Sequence, residues 1–199
     1  MRVAMIAFAI ATIAATVHLA WPTRRPSPGE VPVVIYRSTT TYGVSGSTAP
    51  EIRKSLGYYG PAGHWGITRY EIRWPATFEE ARGACQARDP SVRVRIKIKT
   101  PVLSWTSKTP SCLKAEFEAM AAALAEHEDG HARIAIDGAE ALGRSLSQIA
   151  EERDCATMAA RWERAGRQAM ASIAARQAAY DAETSHGVKT GVSLKDCAQ

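Results

Sequence analysis

From Ser111 to Tyr180 the sequence contains no proline, little glycine and a crowd of alanines, whereas the residues before Ser111 are broken by glycine and proline at short intervals. A stretch this long without a helix breaker commits the second half of the chain to helix and leaves the first half to strands and turns. One continuous helix over that range would be far too long for a compact domain, so a reversal is placed near Glu152. The expected fold is α+β: short antiparallel or mixed strands, then two long antiparallel helices, from Ser111 to about Glu152 and from about Cys155 to Tyr180.

In the first half, Val33 to Tyr42 and Ile67 to Trp74 read as strands, and a short helix fits Pro50 to Leu56. Val92 to Lys99 alternates without a fault: Val92, Val94, Ile96 and Ile98 face one side, and Arg93, Arg95, Lys97 and Lys99 face the other. The basic row reads as a solvated sheet face or as a docking surface, and the strand itself as a candidate edge beside a substrate cleft.

Upstream, Val3 to Trp21 carries no Asp, Glu, Lys or Arg and follows Arg2. Residues 1–21 therefore read as a signal peptide or an N-terminal membrane anchor, and 22–32 as a proline-rich linker, leaving 33–199 as one domain. Four cysteines, Cys85, Cys112, Cys155 and Cys197, lack C-x-x-C spacing and fit two disulfides of an exported protein, in any of three pairings. The net charge of +5, from 25 Lys and Arg against 20 Asp and Glu, includes no basic tract of the kind that marks a nucleic-acid partner.

The first long helix carries Phe117, Met120, Leu124, His127, His131, Ile134, Gly138, Leu142 and Leu146 at spacings of three and four, so both histidines lie in line with core positions. With Glu128 they form His-Glu-x-x-His. On a helix two imidazoles four apart grip one metal ion from the same side. Glu128, rotated by about 100°, is then free to act as base toward a water that zinc acidifies to a pKa of about 7.

Such a site needs a third protein ligand. Asp137, six residues after His131, is displaced by about 9 Å along a straight helix and points elsewhere. Glu151, Glu152 and Glu163 fall about 20 to 30 Å from the level of the histidines if the second helix returns antiparallel. The returning helix comes level with them around Ala175 to Tyr180, and the segment just beyond holds His186, the expected third ligand. Tyr180 arrives there as a candidate donor to an oxyanion, and Asp181 as a group to orient a ligand imidazole. His64 reads as a loop residue outside the site.

These residues resemble a family of bacterial predicted secreted zinc-dependent proteases, otherwise an uncharacterised domain of unknown function. The resemblance rests on His127-Glu128-x-Gly130-His131, on Tyr180-Asp181-x-x-Thr184-x-His186-Gly187 and on Gly66-x-Thr68 ahead of Arg73-Trp74, and it spans about Tyr36 to Val192. It implies a zincin-like fold, His127 and His131 as ligands of Zn(II), Glu128 as catalytic base and the Tyr-Asp-x-x-Thr-x-His-Gly segment as source of the remaining ligand. The expected function is an exported zinc hydrolase acting on peptide or protein substrates, periplasmic or secreted, with membrane association through residues 3–21 if they are retained. The alternatives are an envelope binding module with a structural or vestigial metal site, and a zinc amidase acting on cell-wall amides.

Overall fold

In chain order the elements are β1 (Val17–Leu19), β2 (Val33–Val44), α1 (Ala49–Tyr59), β3 (Ile67–Arg73), β4 (Thr77–Ala81), β5 (Ala84–Arg88), β6 (Val92–Leu103), α2 (Ser111–Ser147) and α3 (Cys155–Thr184). The structure, a computed structural model, describes residues 17–19, 29–104, 109–149 and 151–197, the first of these by its backbone alone. The expected signal peptide or anchor lies outside the described residues apart from 17–19. No helix among the described residues is long and apolar enough to cross a membrane.

The sheet has the order β1-β2-β6-β3. β6 runs parallel to β2, from Val33 opposite Val92 to Val44 opposite Leu103, and antiparallel to β3, from Ile67 opposite Lys99 to Arg73 opposite Arg93. The alternating strand is therefore central rather than an edge, which corrects the expectation that it would align a substrate. Its position follows from its composition: an unbroken β-branched row buries best with a strand on either side and a helix beneath. The free edge beside β6 belongs to β3.

Val92, Val94, Ile96 and Ile98 are buried against Ala132, Ala139, Leu142 and Leu146 of α2 and against Trp162 and Ile173 of α3. Each such aliphatic side chain stabilises the fold by about 1.5–3 kcal/mol. Beyond Lys99 the alternation inverts, with Pro101 and Leu103 buried and Val102 exposed. At that end Tyr42, Val44 and Leu103 pack with Ile52 and Leu56 of α1, Phe117 and Met120 of α2, and Val192 and Leu194 of the C-terminal segment.

β4 and β5 form a hairpin of their own, an element the sequence reading passed over. Its turn, Arg82-Gly83, has positive φ at both residues (53° and 80°), the geometry of a two-residue hairpin loop, but Arg in the first place is a weak signal for it. α3 begins on Asp154, whose carboxylate accepts from the Thr157 N–H, a strong N-cap. α3 also runs one turn further than expected, through Thr184, so Asp181 stands on the helix and not in a turn.

The disulfides pair Cys85 with Cys155 and Cys112 with Cys197, which fits an oxidising, exported environment. The first ties the hairpin to the start of α3; the second ties the C-terminal segment to the start of α2. Bridges closing 70 and 85 residues each restrict the unfolded chain strongly. Replacing Cys112 and Cys197 together by serine should lower the unfolding free energy by about 2–5 kcal/mol, measured by denaturant titration of the oxidised protein.

Candidate metal centre

His127 and His131 occupy successive turns of α2 and project toward α3. His127 Nε2, His131 Nε2 and Asp181 Oδ1 form a triangle with sides of 3.3, 3.1 and 3.4 Å. Ligand atoms bound tetrahedrally to zinc at its usual bond lengths stand ~3.3 Å apart, so the triangle has the size of one face of such a site. Among the described residues these three side chains form the group that could hold a metal ion.

The hydrogen bonds behind the triangle decide its chemistry. Gln177, one turn before Asp181 on α3, places its amide nitrogen 2.9 Å from the backbone carbonyl of His131. A carbonyl only accepts, so the –NH₂ must face it and the amide oxygen must face His131 Nδ1, at 2.5 Å. That oxygen also only accepts, and Nδ1 therefore carries the proton. In the neutral form of the ring the lone pair is then on Nε2, aimed at a carboxylate oxygen and a second imidazole nitrogen. Three electron-rich atoms so close repel one another unless a cation sits among them.

His127 is buried, and burial first, then the neighbouring His131, holds its pKa below the ordinary histidine value. It stays neutral, as a metal ligand must. The Tyr180 ring stacks on it at 5.1 Å and 14°, and a Cβ at Gly187 would come within 3.1 Å of His127 Cγ. Gly187 also has φ +83°, so this contact and this turn both call for glycine. The Tyr180 hydroxyl lies over Gly130, where an added Cβ would meet it at 2.2 Å. Tyr180 thus walls the histidines and is not among the residues lining the cavity.

Glu128 is 4% exposed. Its backbone carbonyl accepts from Thr68 Oγ1 of β3 at 2.9 Å, and its side chain reaches the backbone at Gly66, where a Cβ would stand 2.8 Å from Oε1. Burial pushes the carboxyl above the ordinary glutamate range, partly offset by hydrogen bonding to Thr68. Glu128, the triangle and the edge strand share one cavity of about 460 Å³, lined also by Trp65, Leu124, Val192 and His186.

His186 sits at the mouth, with Nδ1 3.5 Å from Asp181 Oδ1 and its side chain 77% exposed. His64, which the sequence placed outside the site, lines the same cavity. Asp137 pairs with Arg176 and Glu163 with Arg167, while Glu151 and Glu152 bond to Gln86 and Arg161, all apart from the triangle. Gln177 was missed, and Gly66 and Thr68, named only as part of the family resemblance, prove to pack against Glu128. The readable signal for Gln177 was its spacing: Gln177 and Asp181 are four apart on α3, as His127 and His131 are on α2.

The fold and site define an α+β protein in which a histidine–carboxylate group between two antiparallel helices could hold a metal ion. The chain belongs to the family described as "Bacterial protein of unknown function (DUF922)", whose family model matches residues 39–187. No curated protein and no solved structure matches it.

Two measurements on the metal-free protein check this geometry. Long-range ¹H–¹⁵N NMR should show neutral His131 protonated on Nδ1; protonation on Nε2 would contradict the Gln177 contact. Because the folded pKa of Glu128 is raised above the ordinary 4.5, its contribution to stability is fully present below that pH and lost as pH rises through the folded value. Glu128→Gln, neutral throughout, should therefore have a higher Tm than the parent at neutral pH, an advantage that fades below about pH 4.5.

Proposed function

We propose that the chain is an exported zinc-dependent hydrolase that cleaves peptide amides, with His127, His131 and Asp181 as ligands and Glu128 as the base. The observation that carries this reading is the convergence of the His127, His131 and Asp181 donor atoms beside a buried carboxylate in an open cavity. Two imidazoles and one carboxylate are a donor set suited to zinc, and the lone pair that Gln177 directs to His131 Nε2 is the one a metal would take.

Zinc held there supplies Lewis acidity toward a carbonyl oxygen and lowers the pKa of water to about 7. Glu128 takes the proton from the attacking water. It then delivers that proton to the departing amine nitrogen, so it is regenerated as C–N cleavage completes. Its raised pKa suits both halves of this transfer, since a base poised nearer neutrality also makes a competent acid. A peptide is the substrate favoured by the edge of β3, whose residues Ile67, Thr68 and Tyr70 line the cavity. An extended chain can pair with such an edge while its scissile bond lies over Glu128.

In this reading Asp181 takes the third ligand place expected of His186, and His186 stands at the rim. Elemental analysis of the purified protein should give one zinc per chain. Glu128→Gln should keep that zinc and lose about 10²–10⁴-fold in peptide hydrolysis. Competition with a chelator should rank the variants: Gln177→Met weakens zinc by about 10–100-fold, Asp181→Ala weakens it more, and His186→Ala stays near the parent. Absence of stoichiometric zinc in the parent, or hydrolysis by Glu128→Gln at the parent's rate, would sink the proposal.

A further inference from the structure

The register of the sheet collects its cations on the face turned away from α2 and α3. Arg93 lies opposite Arg73, Arg95 opposite Glu71 and Lys97 opposite Arg69, while Arg95 and Lys97 lie opposite Tyr36 and Ser38 on the other side. With Lys99, half-buried over the Tyr42 ring, this face holds six cations and one acid. That excess equals the net charge of the whole chain, +5. The rest of the protein is therefore neutral on balance, and its charge is segregated onto one side.

The cations are also close together. Strands about 4.8 Å apart and two-residue steps of about 6.6 Å bring their backbone positions into a band roughly 5 Å by 20 Å. Neighbours thus lie near or within the ~8 Å screening length of physiological salt. Concentrating like charge in this way destabilises the free protein unless an anionic surface meets it. Glu71 is shared by Arg73 and Arg95, whereas Arg69, Arg93 and Lys97 have no ion pair among the described residues. A recess of about 180 Å³ between Tyr36, Glu71, Arg73, Arg93 and Arg95 presents three guanidinium groups, the side chain best shaped for a phosphate.

We propose that this face docks on an anionic phospholipid bilayer, with lipid phosphates against the arginines and the half-exposed Tyr36 at headgroup depth. Two features favour a bilayer over other polyanions. The cations of β3 and β6 share one sheet face with the half-exposed Tyr36 of β2, and tyrosine is a residue of membrane interfaces. In addition, β1 pairs with β2 at the sheet margin, residue 17 opposite Ser38 and residue 19 opposite Tyr36, and the preceding residues 3–16 carry no charged side chain. An apolar segment in the sequence and a basic patch on the sheet are the two signals that stable membrane attachment requires.

The test is partitioning of the full chain between buffer and vesicles of phosphatidylcholine, with or without phosphatidylglycerol. The apolar segment contributes to both, so the difference between the two vesicle types reports the basic face. Each cation near an anionic surface is worth about fivefold in partitioning, so the combined Arg69→Gln, Arg93→Gln and Lys97→Gln variant should lose on the order of a hundredfold of the preference for anionic vesicles. The parent's preference should also fall steeply as salt is raised, a result that needs no variant. Equal partitioning of the parent into both vesicle types, an unchanged preference in the variant, or tighter binding to a single-stranded oligonucleotide than to anionic vesicles at the same salt would overturn the assignment.

Discussion

Two helices clasp one another through matched pairs of side chains one turn apart, and the rest of the site depends on that clasp. α2 offers His127 and His131, α3 offers Gln177 and Asp181, and antiparallel packing sets the pairs face to face. Gln177 bonds to both the ring and the backbone carbonyl of His131, so it fixes the axial register of the helices as well as the imidazole's proton. A slip of one residue would rotate α3 by about 100° and carry both side chains off the interface. Gly130 lets the Tyr180 ring come close to α2. The disulfides act at the periphery, one at the start of each helix, where each restrains an end without entering the cavity.

The sheet contributes the other half of the centre. β3 holds α2 through the bond from Thr68 to the Glu128 carbonyl, which seats the Glu128 carboxyl against Gly66 and away from bulk water. Placing a carboxylate there costs stability at neutral pH, the reverse of what a protein built for stability alone would do. Burial of this kind, next to a pair of histidines and an accessible cavity, is the arrangement by which proteins tune a group for proton transfer.

Much of this was legible in the residues. The proline-free second half and the alternation from Val92 announced the α+β division, and the helical stripe placed both histidines together. What could not be read was which elements become neighbours. The alternation of Val92 to Lys99 says that one face is buried, but nothing local says whether its backbone is paired on one side or two. Helix rise brought α3 level with the histidines near Ala175 to Tyr180. Choosing between Asp181 and His186 turned on where α3 ends, and Ser185, His186 and Gly187 all enter left-handed backbone only after a turn that Thr184 supports by bonding to the Tyr180 carbonyl. That final turn keeps Asp181 on the helix in phase with Gln177 and sends His186 to the rim.

The same alternation that builds the core separates the candidate metal centre from the basic sheet face. Along β6 every even residue from Val92 to Ile98 is committed to the helices, and every odd residue carries its charge to the opposite side. The candidate metal centre is on the helical side, reached past the edge of β3, and the basic patch covers the other. Cations spread over the helical side would raise the local potential around the histidines and weaken their hold on a metal cation. Segregation by strand parity keeps the cations of β6 off that side, and Arg37 and Arg133, which do stand on it, are paired with Asp129 and Glu126. One strand of two-residue periodicity thus keeps a candidate metal centre and a basic sheet face on opposite sides of a single small domain.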